Sequence, residues 1–388
     1  MAAYDVVVVG AGISGAALAY FLKKGGAGRV LVLERGAPAS GGTGKSAAIV
    51  RQHYSTRLMA RLAKRSVDLF RAMPDELGQD GGYRPVGYLF LATSENAAAA
   101  KTNIAMQRGV GIDTTWLDTG VLAARSPWLD PEGVAGAAFE PLGGYADPVQ
   151  SVEAYLAAFQ RLGGEVRTRT PCRRILRAGD RIAGVVTDDG PITADLVVNA
   201  AGPWATALAR LAGVPLEIRS IREQDTIWEG RPGRDLPTHS ISNSLDAIYV
   251  RPQGDGRYVV GRGFPKAYEE VDEDNYKATT DAEFVADVQT RLERRIPPMQ
   301  GARLIHAYTA LYDVTPDWYP FVGPRGDLAG YVDFNGGSGH GFKIAPALAE
   351  ELASWLIHGG VAEDFRQLAH DRVAQRRLFV QSYGGNRG

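Results

Sequence analysis

The sequence predicts two domains, one α/β on a mainly parallel sheet and one α+β on an antiparallel sheet. Three observations carry this. A β-branched run from Tyr4 to Val9 leads at once into Gly10-Ala11-Gly12-Ile13-Ser14-Gly15 and a helical pattern, the opening of a nucleotide-binding βαβ unit. A second run of buried-strand character, Ile192 to Asn199, also ends in small residues before a helical pattern. Gly82 to Thr93, Glu217 to Trp228, Ala247 to Pro252 and Tyr258 to Gly263 read as strands of an antiparallel sheet capping the first domain.

The first strand carries no charge after Asp5, as expected of a parallel strand covered on both faces. Of the glycines, Gly10 permits the tight turn, Gly12 lets backbone approach a pyrophosphate, and Gly15 lets the helix Ala16 to Lys24 pack closely on the strand. The next strand, Arg29 to Leu33, ends in Glu34, whose carboxylate can accept the ribose hydroxyls of an adenosine. An acid there disfavours the 2′-phosphate of NADP and leaves NAD and FAD as alternatives.

The chain of 388 residues has length for two to three domains. With 43 Lys+Arg against 44 Asp+Glu, bulk charge gives no reason to expect nucleic acid or an anionic membrane as partner. Its 47 glycines, about 12% of the chain against a usual ~7%, point to many tight turns or close ligand approaches. The single cysteine, Cys172, cannot form an intrachain disulfide and suits a reducing compartment. The apolar run Val6 to Leu22 lacks a basic leader and is interrupted by Gly10, Gly12 and Gly15, so the expectation is a soluble cytoplasmic protein. The six histidines show no paired spacing with carboxylates or cysteine, so no metal site is expected. The basic pattern Thr56 to Met73 reads as an amphipathic surface helix rather than a membrane contact.

The strand Ile192 to Asn199 runs into Ala200-Ala201-Gly202-Pro203-Trp204, small residues that allow a second approach to the nucleotide. Here the chain resembles the FAD-dependent amine and amino-acid oxidoreductases, the D-amino-acid oxidase superfamily that includes sarcosine oxidase and glycine oxidase. The resemblance extends to Ser40 to Tyr54, the region of Cys172, and Thr315 to Lys343. It implies a Rossmann-type FAD-binding domain assembled from 1–82, 145–216 and 318–388, and a substrate-binding domain from 83–144 and 217–317. It also implies that Arg35 follows the ribose acid, that Lys45, Ser46 and Ala47 wrap the isoalloxazine ring, that the backbone at Cys172 meets the adenine, and that Ala201, Gly202 and Trp204 close the pyrophosphate site. In relatives a cysteine shortly before Thr-Pro-Asp tethers the flavin. Thr315-Pro316-Asp317 is present, Ala310 stands in that cysteine's place, and Ser40 to Arg51 holds no histidine, so FAD is expected to bind non-covalently.

The stretch Phe334 to Lys343 is glycine-dense and precedes Pro346, read as opening the helix Ala347 to His358. Gly337, Gly339, His340, Gly341, Phe342 and Lys343 would offer backbone N–H groups and a helix N-terminus to the negative charge of reduced flavin. The resemblance aligns Arg51 and Lys343 with a substrate-carboxylate pair. A guanidinium fork orients a carboxylate with two parallel bonds and an ammonium adds a point charge, so an amino acid or related acid is implied. His340, His53, Tyr54 and Tyr249 are candidates to line the substrate cavity or to bias the amine toward neutrality. His340 equally suits a structural role in the loop, and Tyr249 a core role in its strand. Val259 stands where sarcosine oxidase has an oxygen-activating lysine, with Lys45 and Lys266 as substitutes, which leaves oxygen and an electron carrier both open as acceptor. Three functions follow: oxidation of a small amino acid or N-alkyl amino acid to an imine, oxidation of a 2-hydroxy acid, and flavin binding without turnover.

Overall fold

The computed structural model describes residues 3–380; the loose tail expected at Gly384 to Gly388 lies outside them. The strand Ala3–Val9 pairs in parallel with Val30–Leu33 on one side and Gly190–Asn199 on the other. Glu165–Arg167 extends the sheet beyond Val30–Leu33, and Tyr331–Asn335 extends it beyond Gly190–Asn199. Phe321–Pro324, Arg181–Thr187 and Arg174–Ala178 add antiparallel edges. Because side chains alternate along a strand, Val6 and Val8 enter one apolar cluster, with the helices Ile13–Lys24, Pro148–Arg161 and Gly341–His358. Val7 and Val9 enter another, with the helix Ala205–Ala212. The apolar run Val6 to Leu22 is thus a buried strand followed by a buried helix.

In register, Val9 faces Leu33 and Asn199, and Asn199 faces Asp333, so the carboxyl ends of the parallel strands lie level. Each end runs into a segment singled out in the sequence: Gly10, Glu34, Ala200 and Gly336. This is the edge at which an open parallel sheet binds its ligand.

A second, nine-stranded sheet contains the four strands expected from the sequence: Tyr88–Ala92, Arg219–Glu229, Ile248–Gly254 and Arg257–Arg262. Tyr88–Ala92 is shorter than Gly82 to Thr93 because Pro85 and the positive-φ Gly82 and Gly87 break the run. The long strand Arg303–Val314, which pairs along the whole of Arg219–Glu229, was not legible; its polar residues sit on both faces and mask the alternation. Gly136–Glu140 was missed because glycine and alanine carry little β-signal. One face of this sheet packs Trp228, Val250, Tyr258 and Val260 against the helix Ala282–Arg295. The other face roofs the carboxyl edge of the first sheet.

The last long helix begins at Gly341, with Pro346 inside it rather than at its start. Proline removes the bond that would reach back to Phe342, and Ala347 N–H is taken instead by Ser66 Oγ of the neighbouring helix at 3.1 Å. That neighbour, Arg57–Leu77, is amphipathic as read, and two of its basic residues are engaged: Arg61 with Glu351 and Asp364, and Arg65 by two bonds with Glu350. No helix among the described residues is long and apolar enough to cross a membrane.

Candidate active site

A cavity of about 740 Å³ lies between the two sheets. Every residue expected to contact nucleotide or substrate lines it except Gly15 and Tyr54. Gly15 packs instead: a Cβ there would overlap the Gly10 carbonyl, so the helix can sit on its strand only without a side chain. Gly10 itself has φ +114° and faces the carbonyl of Ala200, joining the two strand ends.

At one end of the cavity, Glu34 Oε2 accepts Ala11 N–H at 2.9 Å and its Oε1 accepts Gly36 N–H at 2.7 Å. Cys172 lies nearby, in the loop between Glu165–Arg167 and Arg174–Ala178. Burial pushes its thiol up to about 11, which makes it a poor nucleophile near neutral pH. Arg35 stacks over Trp204 at 3.9 Å, and both bond Asp274 on an overlying segment. Asn335 ties the wall together, accepting from Gly202 N–H at 3.1 Å and donating to the Asn199 carbonyl at 2.7 Å. Neither asparagine was singled out in the sequence, where nothing marks a buried amide.

The glycine-dense loop is partly bonded to the protein itself. Asp313 accepts Gly336 N–H through its carboxylate and Ser338 N–H through its carbonyl, and His340 N–H bonds the Gly337 carbonyl. Of the expected donors, the N–H groups of Gly337 and His340 are thus turned to protein partners, while Gly339 and the helix N-terminus at Gly341, Phe342 and Lys343 border the cavity.

Arg51 follows the short strand Ile49–Val50, stacks on Tyr54 at 4.7 Å and donates to the carbonyl of His53. Lys343 is nearly buried, and burial first and the Arg51 charge second push its ammonium well below the usual lysine range. The sequence missed Glu140, a fully buried carboxylate that accepts Gln52 N–H at 2.7 Å. Burial pushes it up to about 7, against the opposing pull of that bond and of Arg51. Ala310, in the place of a tethering cysteine, lines the cavity wall.

The two histidines at the cavity are disfavoured from taking a charge. Burial, with Arg51 adding to it, brings His53 down to about 3; its ring stacks on Phe90 at 4.7 Å. His340 is lowered by burial and by the charges of Lys343 and Arg51. Its Nε2 faces the Trp318 carbonyl at 3.0 Å and its Nδ1 faces the Tyr54 hydroxyl at 3.5 Å, a pattern satisfied by a proton on Nε2. Both bonds are to protein groups, although the ring also borders the cavity. On the roof, Tyr249 donates to Asp225 at 2.6 Å, and Glu223 pairs with Lys266. Tyr249 is therefore a cavity residue rather than a core aromatic. Lys45 meets Tyr276 at 3.2 Å, and Val259 is buried outside the cavity lining.

Comparison with known proteins agrees with this geometry. The chain is 29% identical over 362 residues to 4-methylaminobutanoate oxidase (formaldehyde-forming) of Paenarthrobacter nicotinovorans, covering 91% of this chain and 43% of that protein. It is 30% identical over 398 residues to FAD-dependent oxidoreductase domain-containing protein 1 of Bos taurus, covering 92% and 81%. The chain thus spans less than half the length of the first relative and most of the second. Among solved structures, L-proline dehydrogenase from P. horikoshii superposes with a TM-score of 0.90 at 27% identity, covering 97% of this chain and all of that one. Residues 5–355 match the family model described as DAO, FAD dependent oxidoreductase. This chain belongs to the DAO family of FAD-dependent oxidoreductases.

Proposed function

We propose that the protein oxidises the C–N bond of a small amino acid or N-alkyl amino acid to the imine, with FAD bound non-covalently and the substrate carboxylate held by Arg51 and Lys343. The observation that carries this reading is the pair of cations in one cavity wall. Lys343 is deeply buried, and burial and the like charge of Arg51 are the influences that act on its ammonium. A wall built in this way gains most from an anion that both groups can share.

FAD fits the rest of the cavity. Glu34 stands at the strand end where an adenosine ribose is held, the Gly12 helix start borders the lining, and the volume is that of a large ligand site. FAD when bound supplies the acceptor for the two electrons and the hydrogen that leave the substrate. The protein's part is to hold the acid so that its α C–H faces that acceptor, and to offer Lys343 and the Gly341 helix N-terminus to developing negative charge. The two cavity histidines enclose the site without adding charge. In this reading 1–82, 145–216 and 318–388 bind FAD, while 83–144 and 217–317 bind substrate.

Relatives named for N-methyl amino acids and for proline support an amine over a 2-hydroxy acid, which the same clamp would serve. The test is to mix the FAD-loaded protein anaerobically with panels of amino, N-methylamino and 2-hydroxy acids. Bleaching of the flavin absorbance by amines alone is expected. Bleaching by hydroxy acids alone overturns the substrate class, and bleaching by none favours a flavin-binding subunit without turnover. Repeating the assay in air and measuring hydrogen peroxide separates oxygen from an electron carrier as acceptor.

A further inference from the structure

Across the cavity face of the nine-stranded sheet runs one row of register partners. Phe90 faces Ser242, Ser242 faces Tyr249, Tyr249 faces Gly261, and Gly261 faces Asp225. Tyr249 and Asp225 lie on strands that are not neighbours, with Arg257–Arg262 between them. They meet because position 261 has no side chain: a Cβ there would collide with both Asp225 Oδ1 and the Tyr249 hydroxyl. The row begins beside the cations, since Phe90 stacks on His53 and Arg51 donates to the carbonyl of that same His53. It ends on a carboxylate that lines the cavity and is only 4% exposed.

A buried carboxylate is costly, and an aspartate wanted for packing alone would be replaced at little loss by an apolar residue. Here it is paired with a phenol at the cavity wall. The charged and titratable groups facing it are Glu223, Lys266, Arg251, Tyr249, Tyr308 and Tyr312. Burial first pushes Asp225 up to about 7, the Tyr249 bond opposes this, Glu223 adds to it, and Lys266 and Arg251 oppose it.

We propose that Tyr249 and Asp225 form the amine-side pole of the substrate cavity, Tyr249 accepting the substrate N–H and Asp225 receiving the proton that the ammonium loses before oxidation. This rests on the amino-acid reading above. The transfer balances: the ammonium gives a proton to the phenolic oxygen as the phenolic proton passes to Asp225 Oδ1. The products are a neutral amine, a neutral carboxyl group and an unchanged Tyr249, and the nitrogen lone pair is then free to form the imine. Tyr249 is the catalytic residue of the pair, and Asp225 acts through it. Gly261 keeps the two in contact.

The experiment is anaerobic flavin reduction by an amine that bleaches the native protein, followed between about pH 6 and pH 9 in native protein, Asp225→Asn, Asp225→Glu and Tyr249→Phe. Binding of propionate, an acid without an amine, is measured on each variant from the flavin spectrum. The native rate should rise with pH through the neutral range. Asp225→Asn should lose that limb and fall about 100-fold or more, Asp225→Glu should recover part of the rate, and propionate should bind all four alike. An unchanged pH profile in Asp225→Asn overturns the proposal. So does a parallel loss of propionate binding, which would mark a merely structural role. Failure of the amino-acid reading is distinct, because then no amine bleaches the native protein at all.

Discussion

Lys343 is a cation that its surroundings make reluctant to be charged, and that reluctance is measurable. A carboxylate placed against it favours the ammonium form, so ligand binding should take up protons wherever the empty site leaves Lys343 partly neutral. Affinity for a simple acid should therefore fall as pH rises through that range. Calorimetry of propionate binding in buffers of different ionisation enthalpy reads the uptake directly. Substituting Arg51→Met removes the forked donor. It should weaken the same acid by about 10- to 100-fold, the worth of a charge-assisted hydrogen bond. Glu140 gives a second pH test, read as stability, because its carboxyl is raised in the folded state from about 4.3 to about 7. Between those values the unfolded chain has released the proton and the folded one still holds it, so stability falls as pH rises. Glu140→Gln removes this dependence. Relative to native protein it should gain on the order of 3 kcal/mol between about pH 4 and pH 7, read by urea titrations at each pH.

At the scale of elements, the Thr315-Pro316-Asp317 turn is a structural clamp. Asp317 receives two bonds from Arg372, at 2.8 and 2.9 Å, and also accepts Tyr319 N–H and Phe379 N–H. It thereby joins the end of the strand Arg303–Val314 to the short C-terminal helix Asp371–Ala374. Breaking this buried pair with Asp317→Ala should cost about 3 to 5 kcal/mol, seen as a lowered thermal midpoint. Any FAD that remains bound should still be reduced at the native rate, since neither partner lines the cavity. The Gly10 to Gly15 turn is a different kind of joint. In Gly15→Val the helix Ile13–Lys24 must move off its strand, so stability should drop by about 1 to 3 kcal/mol or more and FAD should be lost together with it. Thermal melts with and without added FAD separate the two effects, because a helix displaced from the cofactor gives a melt that added FAD no longer raises.

For the whole molecule, what could be read in advance was whatever local chemistry dictates. Tyr4 to Val9 with its glycines, Glu34 at a strand end, and the small residues after Asn199 each carry their structural consequence within a dozen residues. Arg51 and Lys343 were found through resemblance, since nothing in their own neighbourhoods says that two cations 292 positions apart share a cavity. Glu140, Asn335 and the Asp225–Tyr249 contact were not legible. Each depends on strands brought together by the sheet, and the last depends on a glycine from a third strand. The helix at Gly341 was misread because proline normally marks a helix start, and the compensating Ser66 lies far away in sequence. Ala310 and Cys172 carry a consequence for the assembled protein. In the non-covalent reading proposed above, denaturation should leave all flavin in the supernatant and none on the precipitated chain. The most direct test of the account is a crystal structure of the FAD-loaded protein with bound propionate. The account predicts the propionate carboxylate bonded to both Arg51 and Lys343 over the isoalloxazine ring. A ring seated elsewhere, or a carboxylate bound away from both side chains, would contradict it.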